Sequence, residues 1–205
     1  MNVNHEFSSD VAFSAAVKSV QTKKGSRHAY ARMEQSGGWQ TLITSELKAF
    51  IEAQTSVFLA TASADAQPYI QHRGGPAGFL RVLDKRTIGF IDFSGNRQFI
   101  SSGNLTENPK AQLFLIDYAQ RRRIKIWGEA SIAEASAERV KQMMPPDYQA
   151  QAEQVILFSV SAWDVNCPQH IPQRFEAGDV SLALAERDQR IRQLEREIGL
   201  LRAAR

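Results

Sequence analysis

The stretch Asp92–Leu115, DFSGNRQFISSGNLTENPKAQLFL, decides how the rest of the chain is interpreted. A β-rich run ends at a Ser-Gly-Asn turn, and RQFISSGNL after it predicts a short helix with Phe99 and Ile100 facing inward. The first backbone N–H groups of a helix lack partners within the helix and attract anions. The stretch is therefore either an ordinary strand–turn–helix connection or a phosphate site to which Arg97 adds a bidentate donor.

Short β-rich runs on both sides of this stretch predict an antiparallel sheet. In chain order they are SVFLATAS, PYIQHRG, GFLRVL, TIGFIDF, AQLFLIDY, RRIKIWGEASI and QVILFSVSAWDV. Links such as GGPAG and LDKR are turn-like and too short for the crossovers that parallel strands require. Short helices are predicted over 44–54, after Asn96 and over 137–144. The pattern indicates a mainly β (α+β) fold built on an antiparallel barrel.

The two ends of the chain differ from this central part. The N-terminal segment is polar, with a helix predicted near Val11–Val20 and an arm or loop after it. After Phe175 the chain is charged and helix-prone. We therefore expect three parts: an N-terminal helix and arm over 1–43, a barrel domain over 44–175, and a C-terminal helix over 176–205.

The predicted C-terminal helix carries apolar residues at heptad-like spacing, and Arg187 interrupts them. The apolar positions are Leu184, Ile191, Leu194, Ile198 and Leu201. Such a helix either packs on the barrel or pairs across a dimer.

Composition excludes several classes of function. The 205 residues include 25 Lys and Arg and 22 Asp and Glu, a net charge of +3, and the basic residues are not interleaved with stacking aromatics. We expect no nucleic-acid partner. No apolar run is long enough to span a bilayer and the N-terminus lacks a signal-peptide layout, so we expect no membrane association. A single cysteine, Cys167, indicates a reducing compartment and predicts a cytoplasmic location. Cys167 and the four histidines lack metal-ligand spacing, so no metal site is predicted.

Five segments between about Phe50 and Ile132 occur in a recognisable order: QPYIQHRGG, TIGFIDF, GNRQ, ENPKAQLFLIDY and RRIKIWGEA. This order and spacing resemble the FMN-binding split barrel of the pyridoxamine 5′-phosphate oxidase-like family. In that family a Ser-Arg-Lys-type turn opens a helix that ends in Asn-Pro. The resemblance implies a split antiparallel β-barrel with flanking short helices that binds FMN. It also implies a homodimer with FMN at the subunit interface.

The resemblance also implies which residues contact the cofactor. Arg97 matches the phosphate-binding arginine, while Gln98 stands where the family often has Lys, which removes one positive charge. Arg123 stands where the oxidase proper has a Gln that touches the cofactor. The implied contact residues are Ile70, Gln71, His72, Arg73, Ile91, Asp92, Asn96, Arg97, Gln98 and Arg123.

The segment SAWDVNCPQHIPQRF near the end of the barrel allows two interpretations. One is a last strand with Trp163 in the core and Cys167 buried as a small apolar residue. The other is a loop that covers the flavin and offers Trp163, His170 and Arg174, so Trp163 joins the predicted cofactor contacts. Oxidases of the vitamin B6 phosphate carry an Arg-x-His pair late in the chain, which HIPQR does not reproduce.

The leading functional hypothesis is an FMN-dependent oxidoreductase that acts on a small-molecule substrate or electron donor. Histidine titrates near neutral pH, so His72 and His170 are the candidates for proton delivery, although each is equally interpreted as an ordinary hydrogen-bonded residue. The alternative is a non-catalytic protein that binds or carries a flavin, a deazaflavin or haem. A third possibility is an interaction protein in which the C-terminal helix binds the partner.

Overall fold

The structure is a computed structural model that describes residues 6–204; residues 1–5 of the predicted N-terminal segment and Arg205 lie outside the described residues. A 3-10 turn at Ser8–Val11 precedes the helices. The helices are α1 Ala15–Lys23, α2 Arg27–Gln35, α3 Ser45–Ala53, α4 Ile100–Glu107, α5 Ala137–Met143 and α6 Ala177–Ala203. The strands are β1 Ser56–Ala62, β2 Pro68–Gly74, β3 Leu80–Val82, β4 Thr87–Phe93, β5 Lys110–Asp117, β6 Arg122–Glu134 and β7 Ala152–Val165.

The seven strands form one curled sheet in the order β2-β1-β5-β6-β7-β4-β3, and every pair in it is antiparallel. This is the predicted split antiparallel barrel with flanking helices, an α+β fold. Strand β1 alternates between buried and half-buried side chains, as a strand with one face on a core does. Strands β6 and β7 pair along most of their length and form the centre of the sheet.

The core lies on the inner face of the sheet and is closed on one side by α3. Leu47, Phe50 and Ile51 of α3 are buried against strand residues such as Leu59. Helix α3 begins where the sequence predicts it, because Thr44 Oγ1 accepts a hydrogen bond of 3.1 Å from the Leu47 backbone N–H. This cap and the apolar face of α3 fix the helix beside the sheet.

The N-terminal segment is more ordered than the sequence predicts. The expectation of one helix followed by an arm is wrong, because α1 and α2 follow one another and a stack of two indoles, Trp39 and Trp127, joins the segment to β6 with ring centroids 4.6 Å apart. Buried Glu34 forms an ion pair with Arg27 and accepts a hydrogen bond of 3.1 Å from Ser9 Oγ. These polar contacts stabilise α2. Because α2 does not depend on regularly spaced apolar residues, the sequence gives no periodic signal for it.

Contacts divide the chain into two compact units. The first comprises the chain up to Asp117 together with Arg122–Pro168 and contains all seven strands of the sheet. The second comprises Tyr118–Arg121 and the chain from Gln169 onward, including α6.

Within the second unit, side chains of the segment before α6 bind the short turn of Tyr118–Arg121. Gln173 Nε2 donates to the Ala119 carbonyl at 2.8 Å, and the Arg174 guanidinium lies 4.7 Å from the centroid of the Tyr118 ring.

In residues 6–204 no helix is both long and apolar enough to cross a membrane.

Candidate functional site

A cleft of about 370 Å³ opens in the first unit, a volume within the range of small-molecule sites. Its walls are the end of β2, the end of β4, the loop that leads into α4, and the start of β7. Strands β2 and β4 are not neighbours in the sheet, so the cleft exists only because the sheet curls and brings them together.

An ion pair joins β2 to β4 inside the cleft. Arg73 Nε lies 2.9 Å from Asp92 Oδ1, and Arg73 Nη2 donates to Asp92 Oδ2 at 3.2 Å. Both side chains are mostly buried, with 15% and 11% of their surface exposed. Gln154 Nε2 donates to Asp92 Oδ2 at 2.9 Å and to Ser102 Oγ at 2.7 Å. Arg73 is therefore held by a carboxylate and fixes the wall of the cleft.

Arg97 is the more accessible cation of the cleft. Its side chain is 64% exposed, and its Nη2 donates to Glu153 Oε1 at 3.2 Å. The other carboxylate oxygen of Glu153 accepts a hydrogen bond of 3.1 Å from Ser94 Oγ. The two arginines of the cleft thus face two carboxylates, and only the Arg97 pair is open to solvent.

The loop before α4 differs from the prediction. Arg97 and Phe99 both have left-handed backbone, with φ of 58° and 53°, so α4 begins only at Ile100. The expectation that Phe99 and Ile100 face inward is wrong, since they are 42% and 39% exposed. Residues with left-handed backbone cannot belong to a right-handed helix, so the turn extends as far as Phe99.

Helix α4 still presents its N-terminus at the cleft, because Ser102 of its first turn lines the wall. Its position is fixed by buried side chains, including Asn104, whose Nδ2 donates to Thr61 Oγ1 of β1 at 3.0 Å. Phe99 precedes the helix, and no side chain among the described residues caps the first turn. Backbone donors at this end are suited to an anion.

The structure brings eight of the eleven predicted cofactor contacts together in this cleft. They are Gln71, His72, Arg73, Ile91, Asp92, Asn96, Arg97 and Gln98. His72 Nε2 shares a hydrogen bond of 2.7 Å with Ser56 Oγ on the neighbouring strand.

The other predicted residues lie elsewhere. Ile70 is exposed on β2 and does not line the cleft. Arg123 lies on β6, and Trp163 on β7 donates from Nε1 to the Leu42 carbonyl at 3.0 Å. His170 belongs to the second unit. Cys167 is exposed, so of the two interpretations of its segment the one that buries Cys167 is wrong on that point.

Glu153 and Ser102 line the cleft and were missed by sequence reasoning. Glu153 follows Arg97 by 56 residues, and only the pairing of β4 with β7, with Asp92 opposite Gln154, brings the two together. No local motif signals this partner.

Among residues 6–204 no group of three His, Cys, Asp or Glu side chains is arranged to hold a metal ion.

The family model described as pyridoxamine 5′-phosphate oxidase matches residues 43–167, more than half of the chain. The chain belongs to the pyridoxamine 5′-phosphate oxidase-like family. The matched region covers all seven strands and the cleft. No curated protein matches the sequence significantly.

Several solved structures are similar in fold. HupZ of Group A Streptococcus is 21% identical with a TM-score of 0.49, over 65% of this chain and 99% of that one. An FMN-binding protein from Syntrophomonas wolfei is 13% identical with a TM-score of 0.47, over 72% and 97%. HutZ, the heme storage protein from Vibrio cholerae, is 18% identical with a TM-score of 0.42, over 60% and 94%. These identities are too low to transfer a ligand.

Proposed function

We propose that the protein is an FMN-binding flavoprotein, an oxidoreductase that acts on a small-molecule substrate or electron donor. One observation supports this most strongly. A single cleft beside the uncapped start of α4 is lined by the residues that match the family's cofactor contacts. These residues are separated by up to 27 positions in the sequence.

The side chains of the cleft suit the phosphate of FMN. Asn96, Arg97 and Gln98 are consecutive, line the cleft, and offer amide and guanidinium donors next to the first turn of α4. Arg97 is held by an exposed ion pair with Glu153, and its guanidinium lies 5.5 Å from the centroid of the Phe99 ring. Exposed contacts of these kinds contribute little free energy. Arg97 can therefore exchange this carboxylate for a phosphate that accepts two hydrogen bonds.

When bound, FMN supplies the two-electron chemistry, and the chain supplies binding, orientation and local charge. The Arg73–Asp92 pair holds β2 against β4, so Gln71 and Ile91 keep a fixed spacing on the two walls. His72 lines the same cleft, and its hydrogen bond to Ser56 orients the imidazole. In this proposal His72 is the candidate to hold or deliver a proton, because its imidazole lines the cleft and one of its ring nitrogens already shares a hydrogen bond with a hydroxyl.

We further propose that the active form is a homodimer with FMN at the subunit interface, in the cytoplasm. Arg123 and Trp163, which lie outside the cleft of their own chain, are in this proposal contributed to the site of the other subunit. The exposed Ile70 on edge strand β2 fits the same arrangement, because a second subunit would cover it.

The test is a fluorescence titration of the protein with FMN and, separately, with riboflavin, which lacks the phosphate. We expect FMN to bind about tenfold more tightly or better, because only FMN forms hydrogen bonds with the charged Arg97 and with the start of α4. Equal affinities for the two flavins would contradict the phosphate site. If neither FMN nor riboflavin binds, the proposed function is wrong.

A further inference from the structure

Helix α6 is a 27-residue helix, and no residue in it is buried. It is about 40 Å long at the usual rise per residue. Large apolar side chains are exposed along it: Val180, Leu182, Leu184, Ile191, Leu194, Ile198, Leu200 and Leu201. Exposed apolar surface of this extent normally marks an interaction site.

Most of these side chains follow a heptad. Leu184, Ile191 and Ile198 are seven residues apart and occupy position a, while Val180, Leu194 and Leu201 occupy position d. The pattern spans three successive heptads and is interrupted at one d position by Arg187. The last two heptads have Ile at position a and Leu at position d, a combination that favours a parallel, two-stranded coiled coil.

The charged residues beside this seam agree with that arrangement. In a parallel pair, position g of one helix faces position e of the next heptad in the other helix. Arg190 at g then meets Glu195 at e, and Glu197 at g meets Arg202 at e. Each contact occurs twice by symmetry, and each joins opposite charges.

An antiparallel pair would place e positions opposite e positions and g positions opposite g positions. Centred near Ile191, it would bring Asp188 of each helix against Glu195 of the other, which are like charges. The same register would bring Arg190 of each helix against Glu197 of the other, which are opposite charges. One repulsive and one attractive contact then offset each other, whereas both contacts of the parallel pair are attractive, so the charge pattern favours the parallel arrangement.

We propose that α6 pairs with α6 of a second copy of this chain as a parallel, in-register, two-stranded coiled coil over Val180–Leu201. Arg187 weakens its N-terminal part, because two arginines face each other at that d position. This interface goes beyond the proposed flavin site and does not depend on it.

The test is disulfide trapping in the full-length protein. Cys167, the single cysteine, is exposed and is first replaced by Ser. In this background we compare Leu194→Cys, on the seam, with Arg196→Cys, two residues away on the outer face. Under mild oxidation the Leu194→Cys protein should form a disulfide-linked dimer in high yield on a non-reducing gel, and Arg196→Cys should not.

A charge exchange tests the parallel register. In the Leu194→Cys background, Glu197→Arg places arginine opposite Arg202 and should lower the disulfide yield several-fold. Adding Arg202→Glu restores opposite charges and should restore the yield. A Leu194→Cys protein that does not cross-link, or an equal yield from Arg196→Cys, would overturn the coiled coil. If the disulfide yield is the same with and without the two charge substitutions, the parallel register is wrong.

Discussion

In the proposed phosphate site, the balance between Arg97 and Glu153 determines how strongly the cleft attracts an anion. Their ion pair is the exposed one of the two in the cleft, whereas Arg73 and Asp92 are mostly buried. A bound phosphate must compete with the Glu153 carboxylate for Arg97. Gln98, in a position where the resemblance leads one to expect Lys, adds no charge to help the phosphate.

Replacing Arg97 by Ala should weaken FMN binding by about 1.5–3 kcal/mol, the range for hydrogen bonds to charged groups. This corresponds to a rise in Kd of about tenfold to about a hundredfold. The measurement is a fluorescence titration. Arg139→Ala is the control, because it removes an exposed positive charge that does not line the cleft. An unchanged Kd in the Arg97 variant would refute its role as a phosphate ligand.

Replacing Glu153 by Gln should have the opposite effect. Loss of the competing carboxylate frees Arg97, and the strength of exposed ion pairs, about 0.2–1 kcal/mol, predicts FMN binding up to about fivefold tighter. The gain should vanish when Arg97→Ala is also present, and riboflavin affinity should not change. Weaker FMN binding by Glu153→Gln would show that the carboxylate supports the ligand instead of competing with it.

Residues close together in a motif were predictable, and their distant partners were not. Asn96, Arg97 and Gln98 were predicted from one turn, and all three line the cleft. Glu153 approaches Arg97 only through the register of β4 with β7. The sequence does not report which residues of two distant strands lie opposite each other, so the charge balance of the cleft was missed.

Among the elements, α3 and the strands agree with the prediction because local signals specify them. Thr44 caps α3, and the alternation of buried side chains identifies strands such as β1. The errors lie where local signals are weak or misleading. Helix α2 is stabilised by the ion pair of the buried Glu34 with the half-buried Arg27, and α4 starts late because Arg97 and Phe99 adopt left-handed backbone.

Strands β6 and β7 approach each other closely at Gly128, so a larger residue at this position should destabilise the fold. A Cβ added at Gly128, beside the bulge in β6, would overlap the Ser159 carbonyl and lie 2.7 Å from the Phe158 ring. Gly128→Ala should lower the free energy of unfolding by about 1–3 kcal/mol, as overpacking does.

Gly103→Ala in α4 is the matched control for this substitution. Apart from the adjoining residues and the backbone of α4 itself, no atom among residues 6–204 would lie within 4 Å of the new Cβ, and alanine in a helix is favoured over glycine by about 0.5–1 kcal/mol. Urea denaturation of both variants measures the difference. Equal stability of the two would contradict the packing described at the β6–β7 bulge.

At the scale of the whole molecule, the antiparallel barrel followed from the short links between strands, but the strand order did not. Strands β4 and β7 pair although two strands and two helices separate them in the chain. Such long-range pairing depends on packing that no local pattern encodes. The division into segments 1–43, 44–175 and 176–205 stays a prediction.

The proposed flavin site requires a dimer through the barrel, independent of α6. We expect light scattering to show a dimer for the full-length protein. A variant with Ile191→Asp and Ile198→Asp, which breaks the proposed coiled coil, should remain a dimer and bind FMN. A monomeric variant that still binds FMN tightly would contradict a site shared between subunits.

The absorbance spectrum of the freshly purified protein, repeated after heat release of any ligand, tests the central claim most directly. We expect flavin bands and the release of fluorescent FMN, or the appearance of these bands when FMN is added to colourless protein. A Soret band would instead identify a haem protein. A colourless protein that does not take up added FMN would contradict the assignment as a flavoprotein.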